Sequence, residues 1–253
     1  MASANVTYND DLRYRLATNL RAHPTRFHHL GQRRHAAVAV IVIDSDETQH
    51  GHDPTTFDRA SVIQLEKLSA SQEASQQEAS PLTGKVDGTA GGAAVMLTRR
   101  AARLSTHAHQ WAFPGGRIDQ GETTLEAALR EVEEEVALTL SRHHYLGRLD
   151  DYPTRSGYVI APLVFWAEAH AEPIPAPEEV ASIHRISLRE LSRPDAPRFV
   201  TIPESPRPVI QMPVGGDLIH APTGAILHQF VEVAYRGNHT RVDHFEQPVF
   251  AWG

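Results

Sequence analysis

The 253-residue chain contains no cysteine. Its absence excludes a disulfide framework, a thiolate metal site and a thiol nucleophile. Long hydrophobic runs are also missing, and the best apolar stretch, residues 37–43, suits a buried strand and is too short to cross a bilayer. The first residues lack a basic stretch followed by an apolar one, so we expect a cytoplasmic protein that does not insert into a membrane.

Positive charge is scarce, because 24 Lys and Arg stand against 31 Asp and Glu, giving a net charge of −7. Most of that excess lies in residues 45–90, which hold eight acidic and three basic residues. The acidity therefore belongs to one segment and does not describe a binding surface. Since the chain shows no basic stripe, we expect no binding to a nucleic-acid duplex.

The hydrophobic pattern predicts an α/β fold with a mixed sheet, because strands and helices interleave without regular βαβ spacing. Helices are predicted at residues 11–20, 60–68 and 225–234, with a helical turn at 188–191. Strands are predicted at residues 36–43, 93–98, 145–149, 158–168 and 183–186, the first two paired with each other. Three regions follow: an N-terminal helical extension (1–34), a central domain (35–200) with an acidic, partly disordered insert (45–90), and a C-terminal extension (201–253) that packs on the domain or on a dimer partner.

A short helix carries three neighbouring glutamates. Thr123 and Glu126 form a capping-box pair, which predicts a helix beginning at about residue 124. Glu131, Glu134 and Glu135 have the spacing i, i+3 and i+4, so they share one face and repel one another. A divalent cation removes this repulsion and prefers oxygen ligands. The apolar stripe on a different face predicts contact with a core; it consists of Leu125, Ala128, Leu129, Val132 and Val136.

An acidic helical face is more often simply solvated, and the neighbouring residues decide between the two interpretations. A Gly115–Gly116 turn precedes the helix and allows close approach of the backbone to a ligand. The window 115–138 resembles the Nudix box, G-x5-E-x7-R-E-U-x-E-E-x-G-U, where U is an aliphatic residue. The matching residues are Gly116, Glu122, Arg130, Glu131, Val132, Glu134, Glu135 and Leu138. Ala137 replaces the last glycine of the pattern, which would cap the helix in a left-handed conformation that alanine adopts at a cost of about 1 kcal/mol. We therefore expect an altered loop geometry after the helix and no loss of metal binding.

The resemblance implies a Nudix fold, which is an α/β/α sandwich with a mixed β-sheet, and metal-dependent hydrolysis of a nucleoside diphosphate derivative. It implies Glu131 and Glu135 as the leading ligands of Mg²⁺ or Mn²⁺. Glu134 is implied as a third ligand or as the base that orients water, and Glu122 as a residue with an additional metal role. Arg130 is expected to orient a glutamate, which places it with Glu131 and Glu134 among the catalytic residues.

Residues 97–116 are similar to the coenzyme A pyrophosphatase subgroup, although Ser105 and His109 depart from its pattern. This resemblance implies a small-molecule substrate, coenzyme A or an acyl-CoA, cleaved to 3′,5′-ADP and (acyl-)phosphopantetheine. The residues expected to bind substrate are Arg100, Gly115, Gly116 and Arg155. Two alternatives stay open: a hydrolase of ADP-ribose, NADH or a similar nucleotide, and a Nudix-fold binding module without catalysis.

Several single residues also keep two interpretations. Arg100 and Arg155 fit either phosphate contacts or an ordinary surface. Trp111 fits either stacking on adenine or core packing. The remaining carboxylates that are candidate bases are Asp150, Asp151 and Glu179, and for the first two we expect solvated loop positions.

Overall fold

The computed structural model describes residues 6–45, 92–101, 110–214 and 217–248. The predicted helix at 60–68, nearly all of the acidic insert, and positions 105 and 109 lie outside the described residues. Within these described ranges, no helix is long and apolar enough to cross a membrane.

In the part of the chain that the structure describes, one mixed sheet contains eight strands, and its central strand is β1. β1 runs parallel to β7 along one edge and antiparallel to β2 and β4 along the other, so the predicted pairing of β1 with β2 is confirmed. β4 pairs with residues 36–38 and β2 with residues 41–44, so the second edge divides in the middle of β1. The strands are β1 (Arg34–Asp44), β2 (Ala93–Arg100), β3 (Trp111–Ala112), β4 (Gly115–Arg117), β5 (Tyr145–Arg148), β6 (Tyr152–Pro153), β7 (Tyr158–Trp166) and β8 (Val180–Ser187).

Helices cover both faces of this sheet, as the α/β/α prediction requires. Alternate residues of β1 enter opposite cores because side chains of a strand alternate between its faces. Ala39 and Ile41 pack towards helix α2 (Thr124–Val136), whereas Val40 and Val42 pack towards the opposite layer. That layer contains α1 (Asp10–Ala22), α3 (Leu188–Leu191), α4 (Thr223–Gln229) and the π-helix Phe230–Tyr235.

A second sheet of three strands, not predicted from the sequence, lies in the C-terminal part of the chain. Its strands are β9 (Arg198–Ile202), β10 (Ser205–Val214) and β11 (Asp217–His220), in the order β11–β10–β9. β10 contains prolines at positions 206, 208 and 213, and proline normally argues against a strand because it cannot donate to the ladder. Ile210 and Met212 of β10 nevertheless enter the core shared with α1.

A buried carboxylate, Asp150, connects the segment after α1 and the C-terminal extension to the region that follows β5. Asp150, only 2% exposed, accepts hydrogen bonds from the His23 ring (3.0 Å), the Arg26 amide (2.7 Å), the Arg241 guanidinium (2.6 and 2.8 Å) and the Gln229 side chain (2.7 Å). Burial by itself raises the pKa of Asp150, but the bonds from Arg241, Arg26 and His23 hold it below its ordinary value. The expectation that Asp150 is a solvated loop residue is therefore wrong.

Candidate active site

Helix α2 begins where the sequence predicts. The Thr123 hydroxyl accepts a hydrogen bond from the Glu126 amide (3.2 Å), and the Glu126 carboxylate accepts one from the Thr123 amide (2.8 Å). This reciprocal pair satisfies two amides that the first turn leaves without helical partners. Val132 and Val136 are fully buried against the sheet. The start and the orientation of the helix are thus determined by local residues.

The three glutamates lie at different depths. Glu135 is only 5% exposed, and the side chain of Glu131 is 13% exposed, whereas that of Glu134 is 59% exposed. The Gly115 amide donates to Oε2 of Glu135 at 3.3 Å. Glu131 and Glu135 therefore line the interior of the site and Glu134 its solvent side.

Burial of two neighbouring carboxylates disfavours their charged forms. Burial, together with the negative charge of Glu131, raises the pKa of Glu135 to about 8. Burial also raises the pKa of Glu131, while its hydrogen bond from Arg130 opposes the change. A bound cation would relieve both effects.

The two glycines allow the loop and the helix to approach closely. A β-carbon on Gly116 would lie 2.4 Å from Oε1 of Glu131, and one on Gly115 would lie 2.3 Å from the Ala37 carbonyl oxygen. Gly115 also has a φ of +154°, which side chains rarely adopt. No larger residue fits at either position without displacing the backbone or Glu131.

Arg130 connects the acidic residues of the site. Its guanidinium donates to both carboxylate oxygens of Glu122 (2.9 and 3.0 Å), to Glu131 (2.8 Å), to Glu134 (3.1 Å) and to the Arg117 carbonyl (3.1 Å). The bonds to Glu122 and Glu131 raise the pKa of Arg130, and the same contact lowers the pKa of Glu122. The arrangement suits an orienting function, with Glu122 held on the side of Arg130.

A proline-rich loop covers the end of helix α2. Proline occupies positions 173, 175 and 177, so amide donors remain only on the residues between them. The Ile174 amide donates to the Val136 carbonyl (2.9 Å), and the Ala176 amide donates to the Glu135 carbonyl (2.9 Å). The loop thereby supplies partners to carbonyls that the last helical turn leaves unpaired.

This loop brings Glu179 to the site. Its negative charge acts on both Glu131 and Glu135, raising the pKa of each. The Glu179 carbonyl accepts a hydrogen bond from the Ala101 amide at 2.8 Å, at the end of β2. The sequence indicates Glu179 only as one of three additional bases, and the P-E-E run after the prolines gives no distance to the helix.

Of the other residues singled out in the sequence, one lies beside the site and the rest do not. The positive charge of Arg100 lowers the pKa of Glu135, so Arg100 lies beside the site. Arg155 instead forms an ion pair with Glu246 of the C-terminal extension. Trp111 is 8% exposed and belongs to the core. Asp151, 3% exposed, accepts the His28 amide at 2.9 Å, so the expectation of a solvated loop is wrong for it too.

The helix ends at Ala137, as the departure from the Nudix pattern suggests. Ala137 has φ 52° and ψ 28°, the left-handed conformation, and its amide donates to the Glu133 carbonyl at 3.1 Å. Among the described residues it is the only non-glycine residue with a positive φ. Alanine thus keeps the left-handed cap that the glycine of the pattern would form, and the expected change of geometry is absent at this residue.

The donor set is compatible with a divalent metal. Across the described ranges, no three His, Asp or Glu side chains already surround a common point as metal ligands would. Glu131 and Glu135 nevertheless offer hard oxygen ligands, and Gly116 leaves room that a β-carbon would fill. These observations fit Mg²⁺ or Mn²⁺ better than a softer metal, because the site has no sulfur or histidine donor among these residues.

Comparison with known proteins agrees with this geometry. Residues 86–203 match the family model described as NUDIX domain. This segment, a little under half of the chain, is therefore similar to Nudix domains. The fold is accordingly the α/β/α Nudix fold with a mixed sheet.

Curated relatives are also similar to part of the chain. An uncharacterized Nudix hydrolase, NudL, of Yersinia pestis (strain Pestoides F) is 44% identical over 97 residues, which cover 38% of this chain and 49% of the relative. NudL of Yersinia pseudotuberculosis serotype O:1b (strain IP 31758) matches with the same values. The chain thus spans about half the length of the curated relatives it matches.

Solved Nudix structures are also similar. A MutT/nudix family protein from Enterococcus faecalis has a TM-score of 0.47 at 15% identity, covering 90% of this chain and 72% of that chain. A MutT NUDIX hydrolase from Burkholderia pseudomallei has a TM-score of 0.36 at 21% identity, covering 64% of this chain and 88% of that chain.

Proposed function

We propose that this Nudix domain hydrolyses the pyrophosphate bond of a nucleoside diphosphate derivative with Mg²⁺ or Mn²⁺. The observation that carries the proposal is the pair formed by the buried Glu135 and the partly buried Glu131, which contact Gly115 and Gly116. Clustered carboxylates at raised pKa are typical of functional sites, because a folded protein otherwise avoids them. Glu179 adds a third negative charge to the same place.

Each residue has a separate task in this proposal. Glu131 and Glu135 would hold the metal, which when bound would neutralise diphosphate charge and make a water acidic. Arg130 orients Glu131 and Glu122 through the hydrogen bonds described above. Glu134, which is exposed and bonded to Arg130, would accept the proton of the attacking water. The new P–O bond forms as the bridging P–O bond breaks, leaving two phosphate monoesters.

The proposed substrate is coenzyme A or an acyl-CoA, giving 3′,5′-ADP and (acyl-)phosphopantetheine. Two observations support this choice. The residues before the box follow the coenzyme A pyrophosphatase pattern at Leu97, Thr98 and Arg100. Arg100 also lies beside Glu135, where a guanidinium suits a phosphate.

The test offers CoA, an acyl-CoA, ADP-ribose and NADH to the purified protein with Mg²⁺ or Mn²⁺ and separates the products by chromatography. We expect 3′,5′-ADP from CoA. Glu131→Gln should lower the rate by a factor on the order of 10² or more, because it removes a charged metal ligand. The matched control, Glu133→Gln, removes an exposed charge from the same helix and should retain the rate.

The outcomes separate three readings. Turnover of ADP-ribose or NADH without turnover of CoA would keep the reaction and replace the substrate. An absence of turnover on all four compounds would contradict catalysis and support a binding module. Near-normal activity of Glu131→Gln would contradict the assigned metal ligands.

A further inference from the structure

A carboxylate from the C-terminal sheet enters the Nudix domain on the face opposite helix α2. Asp217 begins β11, which lies beyond the segment 86–203 that matches the family model. Its side chain is 11% exposed and accepts a hydrogen bond from Nε1 of Trp111 at 2.8 Å. It also forms an ion pair with Arg99, whose guanidinium lies 4.3 Å from the centre of the Trp111 ring.

The same extension holds Trp111 a second time. The Thr223 hydroxyl, at the start of α4, donates to the Trp111 carbonyl at 3.0 Å. Helix α4 packs directly on β11 here, because a β-carbon on Gly224 would lie 2.3 Å from the Ile219 carbonyl oxygen. The C-terminal extension therefore fixes both the side chain and the backbone of Trp111.

Trp111 is the first residue of the segment that forms the inner wall of the site. The segment, residues 111–116, is bonded to β2 through the Thr98 hydroxyl and the Ala112 carbonyl (3.2 Å). It is bonded to β1 through the Ala39 amide and the Pro114 carbonyl (2.8 Å). Near its end, the amide of Gly115 donates to Glu135. A shift of Trp111 would therefore be passed along a short, bonded stretch to the metal-binding carboxylates.

We propose that Asp217 is a positioning residue for the Nudix active site, and that the C-terminal sheet is a working part of that site. The inference rests on the proposed function. Its physical basis is that a displacement of about 1 Å in catalytic groups can lower a rate on the order of a hundredfold. Asp217 acts through Trp111 and Arg99, and Arg99 directly precedes Arg100 in β2.

The experiment compares Asp217→Ala with Asp217→Asn in steady-state kinetics and in hydrogen–deuterium exchange of residues 111–117. Asp217→Ala should lower kcat about tenfold or more with KM changed less than about threefold, and should speed exchange in that segment. Asp217→Asn should stay within about threefold of wild type, because its amide oxygen still accepts from Trp111. Mn²⁺ affinity is measured in parallel, and Asp217→Ala should weaken it.

Tyr152→Phe is the matched control. The Tyr152 hydroxyl donates to the Phe245 carbonyl at 3.1 Å, so this variant loses one buried hydrogen bond between the sheet and the same extension, away from residues 111–116. It should keep the wild-type kcat. Equal losses of kcat in Tyr152→Phe and Asp217→Ala would overturn the inference, as would unchanged kcat and exchange in Asp217→Ala.

The inference can still be tested if the Asp217→Ala variant does not fold or if the wild-type protein is inactive. If Asp217→Ala does not fold, Trp111→Phe replaces it, since it removes the Nε1 donor to Asp217 together with part of the ring volume, and an unchanged kcat there would overturn the inference. If wild-type protein hydrolyses none of the nucleotides, the proposed function fails. Asp217 is then judged by exchange and Mn²⁺ affinity alone, and unchanged values would overturn the inference separately.

Discussion

Glu135→Gln should stabilise the metal-free protein while abolishing its activity. Glu135 is buried and its pKa is raised from 4.5 to about 8. Between about pH 4.5 and 8, Glu135 keeps its proton in the folded chain and has lost it in the unfolded chain. The free energy of unfolding therefore falls as the pH rises through this range. At about 1.4 kcal/mol per pH unit, the destabilisation at pH 7 is about 3 kcal/mol.

Glutamine removes this cost because it is neutral and its amide oxygen still accepts from the Gly115 amide. For a chain of this size, about 3 kcal/mol corresponds to a rise in Tm of roughly 6–12 °C. The assay is thermal unfolding in chelator at several pH values from about 5 to 8. The gap between Glu135→Gln and wild type should widen as pH rises.

Glu133→Gln is the control, since Glu133 is exposed on the same helix and the variant loses the same charge. It should stay within about 0.5 kcal/mol of wild type at every pH. Added Mn²⁺ should raise the Tm of wild type but not of Glu135→Gln, because only a ligand bound by the folded state stabilises it. A Glu135→Gln protein that is no more stable than wild type, or a gap that is constant with pH, would refute the reasoning.

Three other predictions concern the surroundings of the site. Gly116→Ala should lower kcat on the order of a hundredfold, because its β-carbon would lie 2.4 Å from Oε1 of Glu131; wild-type kinetics would show that Glu131 is not held there. Ala137→Gly should raise stability by about 1 kcal/mol in denaturant unfolding, because φ is 52° at this position; a loss of stability would contradict the strain. Arg241→Ala should destabilise the protein by about 3–5 kcal/mol, since it leaves the buried Asp150 without its cation. Its calorimetric Tm measures this, and an unchanged Tm would show that the other donors suffice.

The active-site helix could be predicted from the sequence because its signals are local. The capping pair Thr123 and Glu126, the valines of the apolar stripe and the Ala137 cap all lie in the helix or directly at its ends. The different depths of Glu134 and Glu135 could not be predicted in this way. Glu135 is buried by Gly115 and by the loop that carries Ala176, and these contacts are set by tertiary packing.

The C-terminal region shows the opposite case. Strand β10 could not be predicted because it contains prolines at positions 206, 208 and 213. Proline has no amide hydrogen to donate to a neighbouring strand, so it argues against a strand in a sequence. Asp150 is a second example. It is a charged residue directly after a strand, and this position in the sequence favours the prediction of a solvated loop. Its four donors come from residues as distant in sequence as His23 and Arg241, and no local pattern predicts that they converge on one carboxylate.

Strand β1 belongs to the same sheet as the matched segment, although it precedes that segment in the chain. Residues 34–44 lie outside the segment 86–203 that matches the family model, yet β1 is the strand on which β2, β4 and β7 assemble. A fragment cut to the matched segment would leave three strands with unpaired backbone edges and an uncovered apolar surface. The boundary drawn by sequence similarity is therefore narrower than the unit that can fold cooperatively.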